Sequence, residues 1–336
     1  MTTKDEVKAL WKLCFDDSDE FTDLYFSMRY KDEINMAIRE DGKIISALQM
    51  IPYPMTFCGE VISTSYISGA CTHPGYRAHG AMRQLLKETH RRMYAEGVLL
   101  SSLIPAEEWL FGYYGKSGYA PAFGYAMEQE ADGLHPSSSD YRIEVCTSPD
   151  ATHYQYFDFR MRQRESCILH TQEDFEVIIA DLKLGGGRLL VAYQNDRIMG
   201  MAFTVRGGET LYIKELLADN DVVKGSLLHE AFFIYKVRAM EYIVPSSSNA
   251  LFLGMARLIH VEKALSLFAR KYPMSALYIH LEDDDVIPEN NGYYTVKDGI
   301  CLREHLPEKE YQTYTLASLA SLLVEAEHPY MSLMLN

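Results

Sequence analysis

Two parts of the chain repeat the same order of predicted strand, turn and helix. Gly80 and Gly225 each stand at the start of a predicted helix, and they are 145 residues apart. Pro105 and Pro245 each close a predicted strand, and they are 140 residues apart. A near-constant spacing of this size is typical of a duplicated unit, and alternating strands and helices pack as mixed α and β layers. The sequence therefore predicts two copies of one α+β unit with an α/β-type mixed sheet.

Turn-forming residues set the limits of the predicted elements. An apolar strand over Ile44–Ile51 is expected to end at Pro52 and Pro54, because proline donates no backbone hydrogen bond to a sheet. Leu134–Ser139 concentrates proline and serine and is a predicted linker. Glu282–Asp285 is predicted to be a solvated acidic turn, since it lacks the ligand order of a calcium-binding loop.

The charge balance argues against nucleic acid as a partner. The 336 residues include 32 Lys and Arg against 47 Asp and Glu, which gives a formal net charge of −15. A general nucleic-acid-binding protein needs a basic surface that displaces counterions from phosphates. An acidic chain is compatible with a cationic substrate, although surface acidity usually serves only solubility.

Hydropathy and cysteine usage bear on the cellular compartment. No apolar run approaches the roughly 20 residues that span a bilayer, and the first residues are polar, unlike a signal peptide. The six cysteines are scattered and form no C-x-x-C pair, so neither a zinc ribbon nor a dithiol redox site is indicated. We therefore expect a cytoplasmic protein with no metal site and no membrane contact.

The most informative stretch connects a predicted strand to the helix after it, and it reads Gly69-Ala-Cys-Thr-His-Pro-Gly-Tyr-Arg-Ala-His-Gly-Ala-Met82. The first N–H groups of a helix have no intrahelical partner and carry partial positive charge. Gly80 has no side chain that would keep an anion away from them, so the pattern predicts a phosphate cradle. Arg83, Lys87 and Arg91 follow at helical spacing, which fits either support for an anion or a basic face in solvent.

This strand, loop and helix resemble the acyl-CoA signature [QR]-x-x-G-x-[GA] of the GNAT N-acetyltransferases, with Arg77, Gly80 and Met82 at its fixed positions. Met82 departs from the usual glycine or alanine. Tyr114–Tyr119 is similar to the tyrosine segment of the family, and Gly254–Glu262 is similar to a run in its Eis-like (enhanced intracellular survival) branch. The resemblance spans nearly the whole chain and implies a GNAT-superfamily N-acetyltransferase of that branch.

The resemblance also implies an order of domains. Tandem GNAT-fold domains, a catalytic one over 1–133 and a degenerate one over 140–273, would precede a short sterol-carrier-like C-terminal domain over 274–336. The residues agree with a degenerate second copy, because Val222-Val-Lys-Gly225 has no arginine where the first copy has Arg77.

Individual roles follow from the same resemblance. Tyr114 would be the general acid that protonates the leaving CoA thiolate, with Tyr113 and Tyr119 as rivals, and the terminal carboxylate of Asn336 would be the base. Two acidic residues after Pro105, Glu107 and Glu108, would bind the substrate or relay protons. The implied acetyl-CoA contacts are Ala70, Cys71, Thr72, Arg77, Ala78, His79, Gly80, Ala81 and Met82.

Together these observations predict an acetyl-CoA-dependent N-acetyltransferase that acts on a primary amine. The acidic composition favours a cationic acceptor, such as an aminoglycoside, a polyamine or a lysine-like side chain. The alternative is a non-catalytic acyl-CoA-binding or scaffold protein that has kept only the cradle. The resemblance also implies a homo-oligomer.

Overall fold

The structure, a computed structural model, describes residues 2–131, 138, 140–246, 251–305 and 309–335. The predicted linker over 134–139 lies outside these ranges except for Ser138. The elements of the first part are α1 (Thr3–Cys14), α2 (Asp19–Met28), β1 (Asn35–Glu40), β2 (Lys43–Phe57), β3 (Glu60–Thr72), α3 (Ala81–Ala95), β4 (Leu100–Leu103), α4 (Trp109–Gly115) and β5 (Ala120–Ala131).

A second run of elements repeats the order of three antiparallel strands, a helix and two more strands. It consists of β6 (Arg142–Cys146), α5 (Ala151–Arg162), β7 (Cys167–Ile168), α6 (Gln172–Leu184), β8 (Arg188–Gln194), β9 (Arg197–Gly207), β10 (Thr210–Ala218), α7 (Asp221–Tyr235), β11 (Ala239–Pro245), β12 (Leu251–Leu258) and α8 (Val261–Lys271). The repeat in the sequence thus corresponds to a repeat in the order of elements.

Both runs contribute to one large mixed sheet, with the strand order β1-β2-β3-β4-β12-β5-β11-β10-β9-β8-β6 and β7 paired to β2. The last strand of each run pairs with strands of the other run. β12 lies between β4 and β5, and β5 pairs with β11 of the second run. The exchange joins the two copies through continuous backbone hydrogen bonds, so the mixed sheet predicted for each unit is confirmed as one shared sheet.

The prediction that the strand over Ile44–Ile51 ends at Pro52 and Pro54 is wrong, because this strand, β2, continues to Phe57. The pairing of β2 with β1 stops at Gln49 opposite Asn35, while β3 accompanies β2 to its end. Both prolines therefore lie where β2 has lost its β1 neighbour, so their missing N–H groups interrupt no pairing with β1. The Pro54 carbonyl oxygen still accepts a hydrogen bond from Leu169 N, at 2.8 Å.

Helices cover both faces of the sheet and enclose the core. Leu85, Leu86 and Met93 of α3 are buried against Leu48 and Met50 of β2. In the second run, α7 is buried against the corresponding strands β8, β9 and β10. None of the helices in the described ranges is both long enough and apolar enough to cross a bilayer.

The C-terminal part forms a smaller sheet in the order β15-β14-β13-β16, followed by a helix. Its elements are β13 (Leu277–Leu281), β14 (Gly292–Lys297), β15 (Ile300–Glu304), β16 (Gln312–Tyr314) and α9 (Leu316–Glu327). The prediction of a solvated turn at Glu282–Asp285 is wrong for Asp284, which is 1% exposed and pairs with Arg257 of β12 at 2.7 Å. This buried ion pair fixes the C-terminal part to the large sheet.

Candidate active site

The candidate active site begins where two parallel strands separate. β3 and β4 pair only over Thr64–Tyr66 and Leu100–Ser102. β4 ends at Leu103, whereas β3 continues to Thr72 alongside β2. Ala70, Cys71 and Thr72, which the resemblance implies as acetyl-CoA contacts, therefore lie on one wall of an open cleft between β3 and β4.

The loop after β3 forms a cradle at the start of α3. Gly80 caps this helix with a φ of 87°, a left-handed conformation that favours glycine, and its carbonyl accepts the first intrahelical bond from Gln84 N at 3.0 Å. The N–H groups of the three residues between them thus have no intrahelical acceptor. A Cβ placed on Gly80 would meet nothing within 4 Å, so the space in front of these donors is open. The geometry fits an anion such as a phosphate.

The other loop residues stay close to solvent. Arg77, Ala78 and His79 are exposed, and Ala81 and Met82 are half-buried. Ala78 also has a left-handed φ of 65°, which is uncommon for a residue with a side chain and is typical of strained, functional loops. All the residues predicted to contact acetyl-CoA are thus brought together along one strand end and one loop.

Two side chains that sequence reasoning did not connect hold the loop against β3. Arg77 Nε and Cys14 Sγ both donate to the carbonyl oxygen of Thr72, at 3.2 and 3.4 Å. A hydrogen bond with the Cys71 thiol and the nearby Arg77 guanidinium lower the pKa of Cys14. Cys14 belongs to α1 and is far from the loop in sequence, so no local pattern indicates this contact.

The basic face of α3 is partly neutralised by the C-terminal part. Lys87 pairs with Asp285 at 2.5 Å, and Arg91 pairs with Glu289 at 2.7 Å. Of the three basic residues singled out in the sequence, Arg83 alone makes no ion pair with any residue that the structure describes. Lys87 and Arg91 thus stay exposed to solvent and form ion pairs at the surface, which leaves Arg83 as the cation available near the cradle.

A cavity of about 560 Å³ lies beside this helix. It is bounded by Arg83 and Lys87 of α3, by Tyr113 and Lys116 at α4, and by the Asp283–Asp285 loop. Arg83 and Lys116 are exposed cations on its rim. The cavity therefore has cationic groups of α3 and α4 on one side and the carboxylates of the Asp283–Asp285 loop on the other.

Tyr114 lies on α4 and is 8% exposed. Its ring packs between those of Tyr113 and Tyr119, with centroid distances of 5.3 and 6.0 Å. Its hydroxyl makes no hydrogen bond with the described part of the chain. Burial raises the pKa of Tyr114 to about 12. The phenol is therefore protonated at neutral pH and free to donate.

The two rival tyrosines have different surroundings. The Tyr119 hydroxyl is buried and bonded to Ser101 Oγ at 2.7 Å and to His90 Nε2 at 3.0 Å. Tyr113 is half-buried and lines the cavity. Tyr119 is thus engaged in the core, which leaves Tyr114 as the buried phenol with a free proton.

The remaining predicted residues are less closely grouped. Glu107 and Glu108 are exposed just before α4, and Glu107 Oε2 accepts a hydrogen bond from Trp109 Nε1 at 2.8 Å. Asn336 lies outside the described residues. The segment before it, Tyr330–Leu335, is buried except for a half-buried Leu333.

Sequence reasoning missed a buried polar cluster on the face of the sheet opposite α3. Arg29 of α2 and Asp174 of α6 form an ion pair between the two runs, with exposed side-chain fractions of 8% and 5%. The Arg29 guanidinium lies 4.8 Å from the centroid of the Tyr53 ring, and that ring is 5.2 Å from His170. These residues come from distant segments, so no motif could have grouped them.

Comparison with known proteins identifies the type of domain that carries this geometry. The acetyltransferase (GNAT) domain model matches residues 2–122, which include the cleft, the cradle and Tyr114. A comparison with curated proteins gives no match.

Several solved structures share the overall fold. A GCN5-related N-acetyltransferase from Anabaena variabilis ATCC 29413 has a TM-score of 0.77 at 16% identity and covers 97% of this chain and 96% of its own. A probable N-acyltransferase from Enterococcus faecalis V583 has a TM-score of 0.74 at 16% identity, with coverage of 93% and 85%. Eis1 from Mycobacterium abscessus has a TM-score of 0.73 at 13% identity, with coverage of 96% and 88%.

At these identities the structural similarity shows the fold, whereas the domain model shows the type of domain. An acetyltransferase domain of the GNAT type takes its acyl group from acetyl-CoA, so the co-substrate predicted from the sequence is confirmed. The chain is therefore an N-acetyltransferase with a GNAT domain in its first part, and it shares its overall fold with Eis1.

Proposed function

We propose that this chain transfers the acetyl group of acetyl-CoA to a primary amine of a cationic molecule, such as an aminoglycoside, a polyamine or a lysine-like side chain. The family accounts for acyl transfer in general, and the amine acceptor and its charge are the proposal. It depends on one observation, namely that Tyr114 packs in the same apolar cluster as Ala70 at the end of β3 and Met82 at the start of α3, next to the open helix start at Gly80.

The residues of the cleft between β3 and β4, which we call the first cleft, suit a CoA thioester. The free N–H groups at the start of α3 would hold the pyrophosphate, with Arg77 and Arg83 as nearby cations. The strand end at Ala70–Thr72 would hold the pantetheine arm and polarise the acyl carbonyl through backbone N–H groups. Bound acetyl-CoA supplies a thioester that an amine can attack.

Proton transfer is assigned to two groups. A free alkylammonium has a pKa of about 10, so the site must take up a proton before the nitrogen can attack the carbonyl carbon. We assign this uptake to the α-carboxylate of Asn336, and the burial of Tyr330–Leu335 supports that assignment. As the C–S bond breaks, Tyr114 donates its phenolic proton to the departing sulfur.

The charge of the acceptor is proposed from two observations. The net charge of the chain is −15, and Glu107 and Glu108 are exposed carboxylates directly before the helix that carries Tyr114. Carboxylates near a cleft raise the local concentration of cations and can bind a second ammonium group of the substrate. A polyamine or aminoglycoside carries such additional groups.

We propose four further properties of the protein. The first two are a cytoplasmic location and a homo-oligomeric state, and the third is the set of domain limits, at 1–133, 140–273 and 274–336. The fourth is a sterol-carrier-like character of the C-terminal domain, for which the separate four-stranded sheet followed by α9 is the support.

The test is release of the CoA thiol from acetyl-CoA over a panel of amines, with no tag after Asn336. We expect turnover with at least one polycationic amine and little with neutral monoamines of the same size. Turnover only with neutral or anionic amines would overturn the cationic acceptor. Acetyl-CoA binding without turnover across the panel would favour the non-catalytic acyl-CoA-binding protein, and no binding would refute the cradle.

A further inference from the structure

The second run of elements has a cleft in the same position as the first. β10 and β11 pair in parallel over Thr210–Ile213 and Ala239–Tyr242 and then separate. A cavity of about 450 Å³ lies beyond that point, between β10, β11 and the start of α7. By topology this is the counterpart of the cleft between β3 and β4.

The start of α7 is closed to an anion. The Asn220 side chain accepts hydrogen bonds from the N–H groups of Val222 and Val223, both at 3.0 Å. Asp221 adds a negative charge to the first turn. The N–H groups at the start of α3 are free beside Gly80, whereas the equivalent groups of α7 are already bonded to the Asn220 side chain.

A buried carboxylate stands in this second cleft. Glu215 of β10 is 1% exposed and forms two hydrogen bonds with the Arg164 guanidinium, at 2.7 and 2.9 Å. Ser332 Oγ donates to Glu215 Oε2 at 2.6 Å, and the Tyr330 hydroxyl donates to the same oxygen at 3.3 Å. Hydrogen bonds to a charged acceptor in a buried site are among the stronger ones in proteins.

Backbone contacts hold the same segment, Tyr330–Leu335, which we call the C-terminal segment. Tyr330 N donates to Ser166 O, and Ile168 N donates to Tyr330 O, both at 3.0 Å. His170 Nε2 lies 3.1 Å from the carbonyl oxygen of Ser332. The segment thus pairs with β7 between the two copies.

The C-terminal segment also reaches the first cleft. A Cβ placed on Gly254 of β12 would lie 3.2 Å from Met331 Sδ and 2.6 Å from the carbonyl oxygen of Leu103. Leu103 is the last residue of β4, which forms one wall of the first cleft. Met331 thus packs against Gly254 beside the end of β4, so the segment extends from the second cleft to the wall of the first.

We propose that the second cleft has exchanged ligand binding for a clamp on the C-terminal segment, with Glu215 as the positioning residue. The clamp rests on the proposed function in one respect, because the segment leads to Asn336, the proposed base. Loosening it lowers kcat and leaves acetyl-CoA affinity unchanged, since the cradle at Gly80 belongs to a different part of the fold.

Hydrogen exchange tests the clamp without any activity measurement. Ser332→Ala removes one hydrogen bond to Glu215 and leaves the ion pair with Arg164 in place, so the protein keeps its fold. We expect the peptides that contain the Tyr330 and Ile168 amides to exchange about tenfold faster or more. Ser166→Ala is the matched control, because the Ser166 Oγ is equally buried and has no hydrogen-bond partner in the described residues.

Unchanged exchange in both Ser332→Ala and Glu215→Gln would overturn the clamp. The positioning role is tested by kcat, which we expect to fall about tenfold in Ser332→Ala with the Kd of acetyl-CoA unchanged. Faster exchange with a normal kcat would overturn the positioning role. If no amine is turned over by the unaltered protein, the proposed function fails, and the exchange rates still decide the clamp.

Discussion

At the scale of single residues, the surroundings of three neighbouring tyrosines separate their roles. Tyr119 is bonded to Ser101 and His90, Tyr113 faces a cavity, and Tyr114 is buried with a free hydroxyl. The Tyr114 hydroxyl oxygen is not among the buried side-chain atoms that lack a hydrogen-bond partner, so it can be reached from outside the core. Tyr114 therefore combines a buried ring with a hydroxyl that can donate to a bound molecule.

Tyr114→Phe should lower kcat by about 10²-fold or more, because a positioned general acid contributes at least that factor. The Kd of acetyl-CoA should stay within about twofold, since the ring and its packing remain. Steady-state kinetics and calorimetry measure both quantities. Tyr113→Phe makes the same change on the same helix and should keep a near-normal kcat. A reversed ranking of the two variants would transfer the acid role to Tyr113.

Cys14 should react with iodoacetamide at lower pH than an ordinary thiol. The thiolate is the reactive form, so a lowered pKa brings reactivity to lower pH. Cys301 is the internal control, because burial raises its pKa to about 11 and it should react only at high pH. Mass spectrometry of both peptides across pH 5–10 gives the two profiles. Coincident profiles would contradict the effect of Cys71 and Arg77 on Cys14.

At the scale of elements, local signals predicted some features and could not predict others. The start of α3 can be predicted from the sequence, because the loop residues are contiguous and Gly80 marks the helix cap. The continuation of β2 through Pro52 and Pro54 cannot be predicted in this way, because it depends on where β1 stops pairing with β2. The exchange of β5 and β12 is likewise set by pairing between distant strands, which no local pattern encodes.

Gly80→Asp should weaken acetyl-CoA binding by tenfold or more. The new carboxylate would cap the free N–H groups of α3, as Asn220 does in the second copy, and would repel a phosphate. Calorimetry measures the affinity. Gly97→Asp is the matched control, since Gly97 follows the other end of the same helix, has a similar φ of 77° and also faces open space. Equal loss of affinity in both variants would indicate backbone strain instead of a phosphate site.

At the scale of the whole molecule, contacts between segments far apart in sequence join the two copies and hold the C-terminal segment. The cradle residues were predicted because they form one continuous run. Arg29 with Asp174 and Glu215 with Ser332 were not, because each pair joins segments more than a hundred residues apart. The resemblance to a family supplied the role of Tyr114, yet the difference between it and Tyr119 emerged only from their contacts.

A buried ion pair holds the C-terminal part to the rest of the molecule. Asp284 pairs with Arg257 at 2.7 Å and accepts hydrogen bonds from the Ile287 N–H at 3.0 Å and the Asn290 side chain at 2.9 Å. Asp284→Asn would leave the buried Arg257 without its counter-charge, and such a loss costs about 3–5 kcal/mol in the free energy of unfolding. Urea denaturation measures it.

The adjacent residue provides the matched control for this ion pair. Asp285→Asn removes a pair with Lys87 whose side chains are 72% and 47% exposed, so solvent already screens most of its attraction. We expect its midpoint to lie close to that of the unaltered protein and well above that of Asp284→Asn. Equal midpoints for the two variants would mean that the C-terminal part is held by the apolar contacts of its helix α9 with β5 and β12, and that the buried ion pair contributes orientation without stability.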